Sequence, residues 1–162
     1  RRLDPKVRVS DEQTWFMLGE YQKVIDYEHE NIKFMRNLAL VMLGREEEAL
    51  AGFEEVDERR AHLLAVYAKA LPHLVRNEFD KSRALMRTLM TIKDPEARYH
   101  MARQYAYLGD NESAHAALAA VIEDGFFCLP AFARDPWLDP LRGAPEFSAI
   151  LRRAEVRHRL AT

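Results

Sequence analysis

The run YHMARQYAYLGDNESAHAALAAVIEDG, residues 99–125, has an apolar helical pattern on each side of a Gly-Asp step. Two earlier runs have the same order of turn residue, polar stretch and apolar helix: VRNEFDKSRALMRTL at residues 75–89 and LGREEEALAGFEEV at residues 43–56. The turn residues Gly44, Asn77 and Gly109 give a period of about 33 residues, which is typical of stacked helical hairpins. The sequence therefore predicts an all-α fold in which neighbouring hairpins bury each other's apolar faces.

The composition is that of an ordinary globular protein. The 162 residues are 48% hydrophobic and carry a net charge of -2. The chain therefore lacks the excess of positive charge that would predict binding to nucleic acid or to an anionic membrane. No apolar run approaches the roughly 18 to 20 residues that insert across a bilayer. The chain begins Arg1-Arg2-Leu3, and we expect it to be a piece of a longer protein. We expect a cytoplasmic location, although the single cysteine, Cys128, leaves an extracytoplasmic one open.

Local signals predict where two helices begin. Ser10, followed three residues later by Gln13, forms a capping box, in which each residue satisfies a free N–H group near the helix start. The helix that follows is expected to run to about Glu28. Asp94 and Pro95 predict another start, with Asp94 as the cap and Pro95 at the first helical position.

The repeated segments resemble tetratricopeptide repeats (TPRs), which are antiparallel helix pairs of about 34 residues with small residues where the helices cross. The small positions fall on Asn37, Ala70 and Ala102 in the first helices and on Ala49, Ser82 and Ala114 in the second helices. Asn37 departs from the pattern because it is not small. The resemblance implies a TPR-like solenoid, a right-handed superhelical array of antiparallel helix pairs. The aromatic- and proline-rich segment after Gly125 looks like the one that follows such repeats in bacterial multidomain signalling proteins, and we expect it to form a helical cap.

The period also divides the chain, which we treat as a single TPR-like domain. Projected back from Gly44, it makes residues 1–29 the remaining arm of a truncated first unit. Units 1, 2 and 3 then cover residues 30–60, 61–93 and 94–125, and the cap covers residues 126–162. We do not predict a turn at Gly19, because it lies only 25 residues before Gly44.

The resemblance further implies a groove along the first helices of the pairs, where a partner binds. Carried over position by position, the groove residues are Phe34, Leu38, Val41, Tyr67, Leu71, Leu74, Tyr99, Arg103 and Tyr107. The last three share one helical face, and an arginine between two tyrosines is suited to grip a carboxylate or an aromatic group. The alternative is that neighbouring helices or the aromatic tail cover the apolar groove positions.

Chemical motifs do not point to catalysis. The sequence lacks the patterns GxxxxGK[ST], GxGxxG and GxSxG, which hold phosphates or position a nucleophile. His100 and His115 lie on the two arms of one hairpin without a third ligand, so we interpret them as exposed polar residues. Cys128 is expected to be buried beside Phe126 and Phe127 and not to be a reactive thiol. We therefore expect no enzymatic activity, no cofactor and no bound metal.

These features favour a protein-interaction or regulatory module of a larger bacterial signalling protein, with a protein or peptide bound in the groove. Two alternatives stay open. In one, the apolar faces pair two copies of the chain as a structural homodimer. In the other, Tyr99, Tyr107 and Trp137 surround a small molecule that the domain senses.

Overall fold

The computed structural model describes residues 10–27, 33–55, 63–89 and 93–161. Within these ranges every regular element is a helix, which confirms the predicted all-α class. The elements are α1 (Asp11–Met17), α2 (Tyr21–Asp26), α3 (Lys33–Met42), α4 (Glu46–Glu54), α5 (Leu63–Val75), α6 (Phe79–Leu89), α7 (Pro95–Tyr107), α8 (Asn111–Glu123), α9 (Leu129–Arg134), a 3-10 helix (Pro136–Leu141) and α10 (Pro145–Ala161). Across the described ranges, none of the helices is both long enough and apolar enough to cross a bilayer.

One backbone motif ends the first helix of each pair. At Gly44, Asn77 and Gly109 the angle φ is 73°, 59° and 75°, which is the left-handed conformation that such turns require. In each case the following residue donates its N–H to the carbonyl five positions before it, at 2.8 or 2.9 Å. This Schellman arrangement pairs carbonyl groups that the helix end would otherwise leave unsatisfied. The three predicted turns are therefore confirmed.

The same motif occurs at Gly19, where the spacing of the repeats argued against a turn. The angle φ of Gly19 is 77°, and the N–H of Glu20 donates to the carbonyl of Trp15 at 2.9 Å. The prediction of one continuous helix is therefore wrong, because the chain turns between α1 and α2; its expected end at Glu28 lies outside the described residues. The spacing misled because α2 has only 6 residues, which makes this hairpin shorter than the others.

Small residues lie where the helices of a pair cross. The helix α3 packs on α4, α5 on α6, and α7 on α8. In the second pair, the Ser82 hydroxyl donates to the Ala70 carbonyl at 3.2 Å, so the two predicted crossing positions meet. In the first pair, the larger Asn37 faces Gly52, where an added Cβ would overlap the Asn37 side chain. The departure at Asn37 is thus compensated by a glycine on the opposite helix.

Both predicted helix starts are confirmed. The Ser10 side chain accepts a hydrogen bond from the N–H of Gln13 at 3.2 Å, and Asp94 accepts one from the N–H of Ala97 at 2.7 Å. The Gln13 side chain, which was expected to reach back to Ser10, instead donates from Nε2 to Oε1 of Glu96 at 3.2 Å. The beginning of α1 is therefore tied to the beginning of α7.

The segment after Gly125 folds back onto the last helix pair, α7 and α8. The 3-10 helix packs on α7, while α10 packs on α8 and α9. The large apolar side chains of this segment that are buried are Phe132, Trp137, Leu138, Leu141, Phe147 and Ile150. The helix α9 also contacts α1. The first hairpin and the tail therefore lie side by side, close to the first helix of the last pair.

Candidate functional site

The predicted groove residues lie mostly in the interior. Six of the nine have exposed fractions of 7% or less, namely Phe34, Leu38, Leu71, Leu74, Tyr99 and Arg103. Val41 is partly buried, Tyr107 is 45% exposed, and the side chain of Tyr67 lies outside the described residues. The side chains at most of the predicted groove positions are therefore covered by other parts of the chain. Arg103, which was expected to grip a partner, does not reach solvent.

Aromatic side chains from the first hairpin and from the segment after Gly125 cover Arg103. Its guanidinium carbon lies 5.0 Å from the ring centroid of Phe16 in α1 and 4.2 Å from that of Trp137 in the 3-10 helix. Aromatic faces at these distances attract a cation. The space that the resemblance assigned to a partner thus holds side chains of the chain's own first hairpin and tail.

Asp135 neutralises the buried Arg103. The arginine donates from Nε to Oδ2 at 2.5 Å and from Nη2 to Oδ1 at 3.3 Å, so both carboxylate oxygens are engaged. The Tyr99 hydroxyl donates to Oδ2 at 2.8 Å, and the backbone N–H of Trp137 donates to Oδ1 at 3.0 Å. Asp135 therefore acts both as the ion-pair partner of Arg103 and as the N-cap of the 3-10 helix.

The protonation states of this cluster are fixed near neutral pH. Burial alone would raise the pKa of the Asp135 carboxyl, but the Arg103 charge and the hydrogen bonds to the carboxylate lower its pKa overall. Burial and the Asp135 charge raise the pKa of Tyr99 well above its ordinary value and the pKa of Tyr21 to about 12. Burial and the Arg103 charge lower the pKa of His100 to about 3. A general acid or base works best when its pKa lies near the working pH. None of these four groups titrates near pH 7.

The histidines and the cysteine were expected to be chemically inert. His100 is buried, contrary to the prediction of an exposed histidine, with its ring centroid 5.8 Å from that of Phe16 and 5.6 Å from that of Tyr99. His115 is partly buried. Cys128 is also partly buried, and this burial raises the pKa of its thiol. Among the described residues, no group of three or more His, Cys, Asp or Glu side chains is arranged to hold a metal ion.

A narrow crevice lies beside the ion pair and is too narrow to hold a water molecule. Its walls are formed by Phe16, Met17, Gly19, Tyr21, Tyr99, Ala131, Arg134 and Asp135. Nearby, the ring of Tyr99 stacks on Phe126 with the centroids 5.0 Å apart. The ring of Tyr107 packs on Trp137 at 4.8 Å. Tyr99 and Tyr107 thus have different ring partners, and these contacts do not support a common small-molecule pocket.

Exposed apolar side chains remain near the buried Arg103. The end of α3 approaches the side chain of Arg103 from α7 there, with Sδ of Met42 2.8 Å from Nη2 of Arg103. Leu43, which follows Met42, is 43% exposed, and Tyr107, one helical turn after Arg103, is 45% exposed, while Val41 and Met42 are partly buried. We call Val41, Met42, Leu43 and Tyr107 the rim. Of the eight predicted groove residues whose side chains the structure describes, it contains the two that are not buried, Val41 and Tyr107.

No protein-family model matches the sequence, and no curated protein or solved structure matches it significantly. Function is therefore inferred from the residues themselves. Sequence reasoning missed the ion-pair role of Asp135, which lies in the aromatic- and proline-rich segment after Gly125. The available signal was Arg103, because an arginine among apolar helix positions needs a partner when it is buried.

Proposed function

We propose that this chain is a protein-interaction module built as a TPR-like right-handed array of helix pairs with a C-terminal helical cap. The recurring Schellman turns and the small residues at the helix crossings support this arrangement. The module belongs to a larger bacterial signalling protein, is cytoplasmic, and acts without catalysis, cofactor or metal. Its partner is a protein or peptide that binds at the rim.

The observation that carries this proposal is that Tyr107 is both exposed and held in place. The residue is 45% exposed and its ring packs against Trp137, with the centroids 4.8 Å apart, so its orientation is restricted before a partner arrives. Tyrosine is among the residues that dominate binding energy at protein interfaces, and an ordered side chain loses little entropy on binding. Leu43 and the partly exposed Val41 and Met42 add apolar area at the end of α3.

A photo-crosslinking amino acid at position 107 tests the rim as a binding surface. The same amino acid at position 79 is the matched control, because Phe79 is an aromatic residue of α6 that is 40% exposed. With the captured partner purified, Tyr107→Ser is expected to weaken binding about tenfold or more, which corresponds to about 1.4 kcal/mol. Phe79→Ser is expected to change the Kd by about twofold or less. Equal effects of the two substitutions would contradict binding at the rim.

Light scattering distinguishes a partner from a second copy of the chain. A monomer is expected if the rim serves a different protein. A dimer that Tyr107→Ser dissociates and Phe79→Ser leaves intact would instead establish the homodimer alternative. Such an interface would have to extend beyond the rim, because stable protein interfaces bury about 1,200 Å² or more in total.

A further inference from the structure

The C-terminal half of α10 leaves apolar side chains in water. Earlier in the same helix, Phe147, Ile150 and Ala154 are 5% exposed or less, as expected for a helix that packs on the core. Val156 and Leu160, in contrast, are 51% and 83% exposed. They are four residues apart, so their side chains lie on the same face of the helix.

Arginines surround this exposed face. Arg152 precedes Val156 by one helical turn, and Arg153 and Arg157 lie in the neighbouring row. Together with Glu123 at the end of α8, they border an open depression of about 460 Å³, whose lining is Glu123, Ala149, Arg152, Arg153, Val156 and Arg157. Three guanidinium groups and one carboxylate give this surface a formal charge of +2, whereas the whole chain carries -2.

Glu123 shows how a carboxylate sits among these arginines. Its Oε1 lies 3.8 Å from Nη2 of Arg153, and its Oε2 pairs with Arg157. The dipole of α10 favours cations in the last turn, but Arg152 and Arg153 lie more than two turns before the end at Ala161. Stabilisation of the helix end therefore does not explain them, and it does not explain the exposed Val156 and Leu160.

We propose that this face of α10 binds an acidic segment of a partner protein that also presents an apolar side chain. Its carboxylates would pair with Arg152 and Arg153, and its apolar group would cover Val156 above the depression. A protein segment fits better than an anionic membrane for two reasons: Glu123 repels lipid phosphates, and two apolar side chains give little insertion into a bilayer. This surface is independent of the rim and of its partner.

The probe is a fluorescein-labelled peptide of about 20 residues in which Glu-Glu-Leu-Glu is repeated, titrated with the full chain by fluorescence anisotropy. Arg152→Gln/Arg153→Gln is expected to raise the Kd about tenfold or more. The matched control, Arg36→Gln/Arg87→Gln, removes the same charge from exposed positions of α3 and α6 and is expected to raise it about twofold or less.

A second comparison tests the apolar contact. Val156→Ser is expected to weaken binding of the leucine-containing peptide about threefold or more and to leave binding of a polyglutamate peptide unchanged. Circular dichroism melting establishes that the variants stay folded.

Three results would overturn the proposal. The first is an equal loss of peptide binding in the two double variants, which would indicate general charge attraction. The second is an absence of saturable binding by folded wild-type chain. The third is binding to phosphatidylserine-containing vesicles that depends on Arg152 and Arg153 while the peptide does not bind, which would assign the surface to a membrane.

Discussion

Removal of the Asp135 carboxylate is the sharpest test of the buried cluster. Asp135→Ala leaves the Arg103 guanidinium charged and 0% exposed, between the rings of Phe16 and Trp137. It also removes the acceptor of the Tyr99 hydroxyl and the cap of the 3-10 helix. All three losses act in the same direction, and the uncompensated buried charge is the largest of them.

The magnitude follows from the burial of both partners. Removing one member of a buried ion pair costs about 3–5 kcal/mol, because the remaining charge keeps its desolvation penalty. In a domain of this size each kcal/mol lowers the melting temperature by about 2–4 °C, so we expect a decrease of roughly 6–20 °C. The loss of the Tyr99 hydrogen bond is not added separately, because contacts within one network are not additive.

The assay is urea unfolding followed by circular dichroism, with Asp139→Ala as the control. Asp139 belongs to the same 3-10 helix, but its side chain is 61% exposed and pairs with Arg142 at the surface. Its removal is expected to change the free energy of unfolding by about 0.5 kcal/mol or less. Equal stability of the Asp135 and Asp139 variants would refute the ion pair as a stabilising contact.

A second substitution separates the buried charge from the other losses. Arg103→Met, added to Asp135→Ala, removes the unpaired cation and keeps an apolar side chain between the two rings. It is expected to restore about 2 kcal/mol or more of the stability lost in the single variant. If Arg103→Met lowers stability further, the uncompensated charge is not the reason for the effect.

Two further predictions concern His100 and the crossing of α3 and α4. The pKa of His100 is about 3 in the folded chain and about 6.5 when unfolded, so from about pH 6 to pH 4 the unfolded state binds more protons. Over this range His100 should therefore lower the free energy of unfolding by about 1.4 kcal/mol for each unit by which pH falls. In urea unfolding at several pH values, the His100→Gln variant should lack this contribution to the pH dependence of stability. Gly52→Ala should lower the free energy of unfolding by roughly 1–3 kcal/mol, because the added Cβ overlaps the Asn37 side chain. Adding Asn37→Ala to this variant should recover most of the lost stability. A Gly52→Ala variant that melts like the unmodified chain would contradict the contact.

Turns and helix starts were predictable because they depend on contacts within a few residues. Gly44, Asn77 and Gly109 have left-handed backbones, and each turn is closed by a hydrogen bond that spans five residues. Ser10 and Asp94 cap helices through residues three positions away. The period of the repeats was less reliable: it failed at Gly19, because a shorter hairpin has the same kind of turn at a different spacing.

Tertiary packing decided which of the predicted groove side chains reach solvent. Periodicity placed Arg103 on one helical face with Tyr99 and Tyr107, yet its partner Asp135 lies 32 residues away in a different element. The cost of desolvating the Arg103 charge is offset only when the folded tail brings that carboxylate to it. No local pattern encodes such a balance, because it depends on which distant segments pack together. The same reason applies to Asn37, whose accommodation required a glycine on the facing helix.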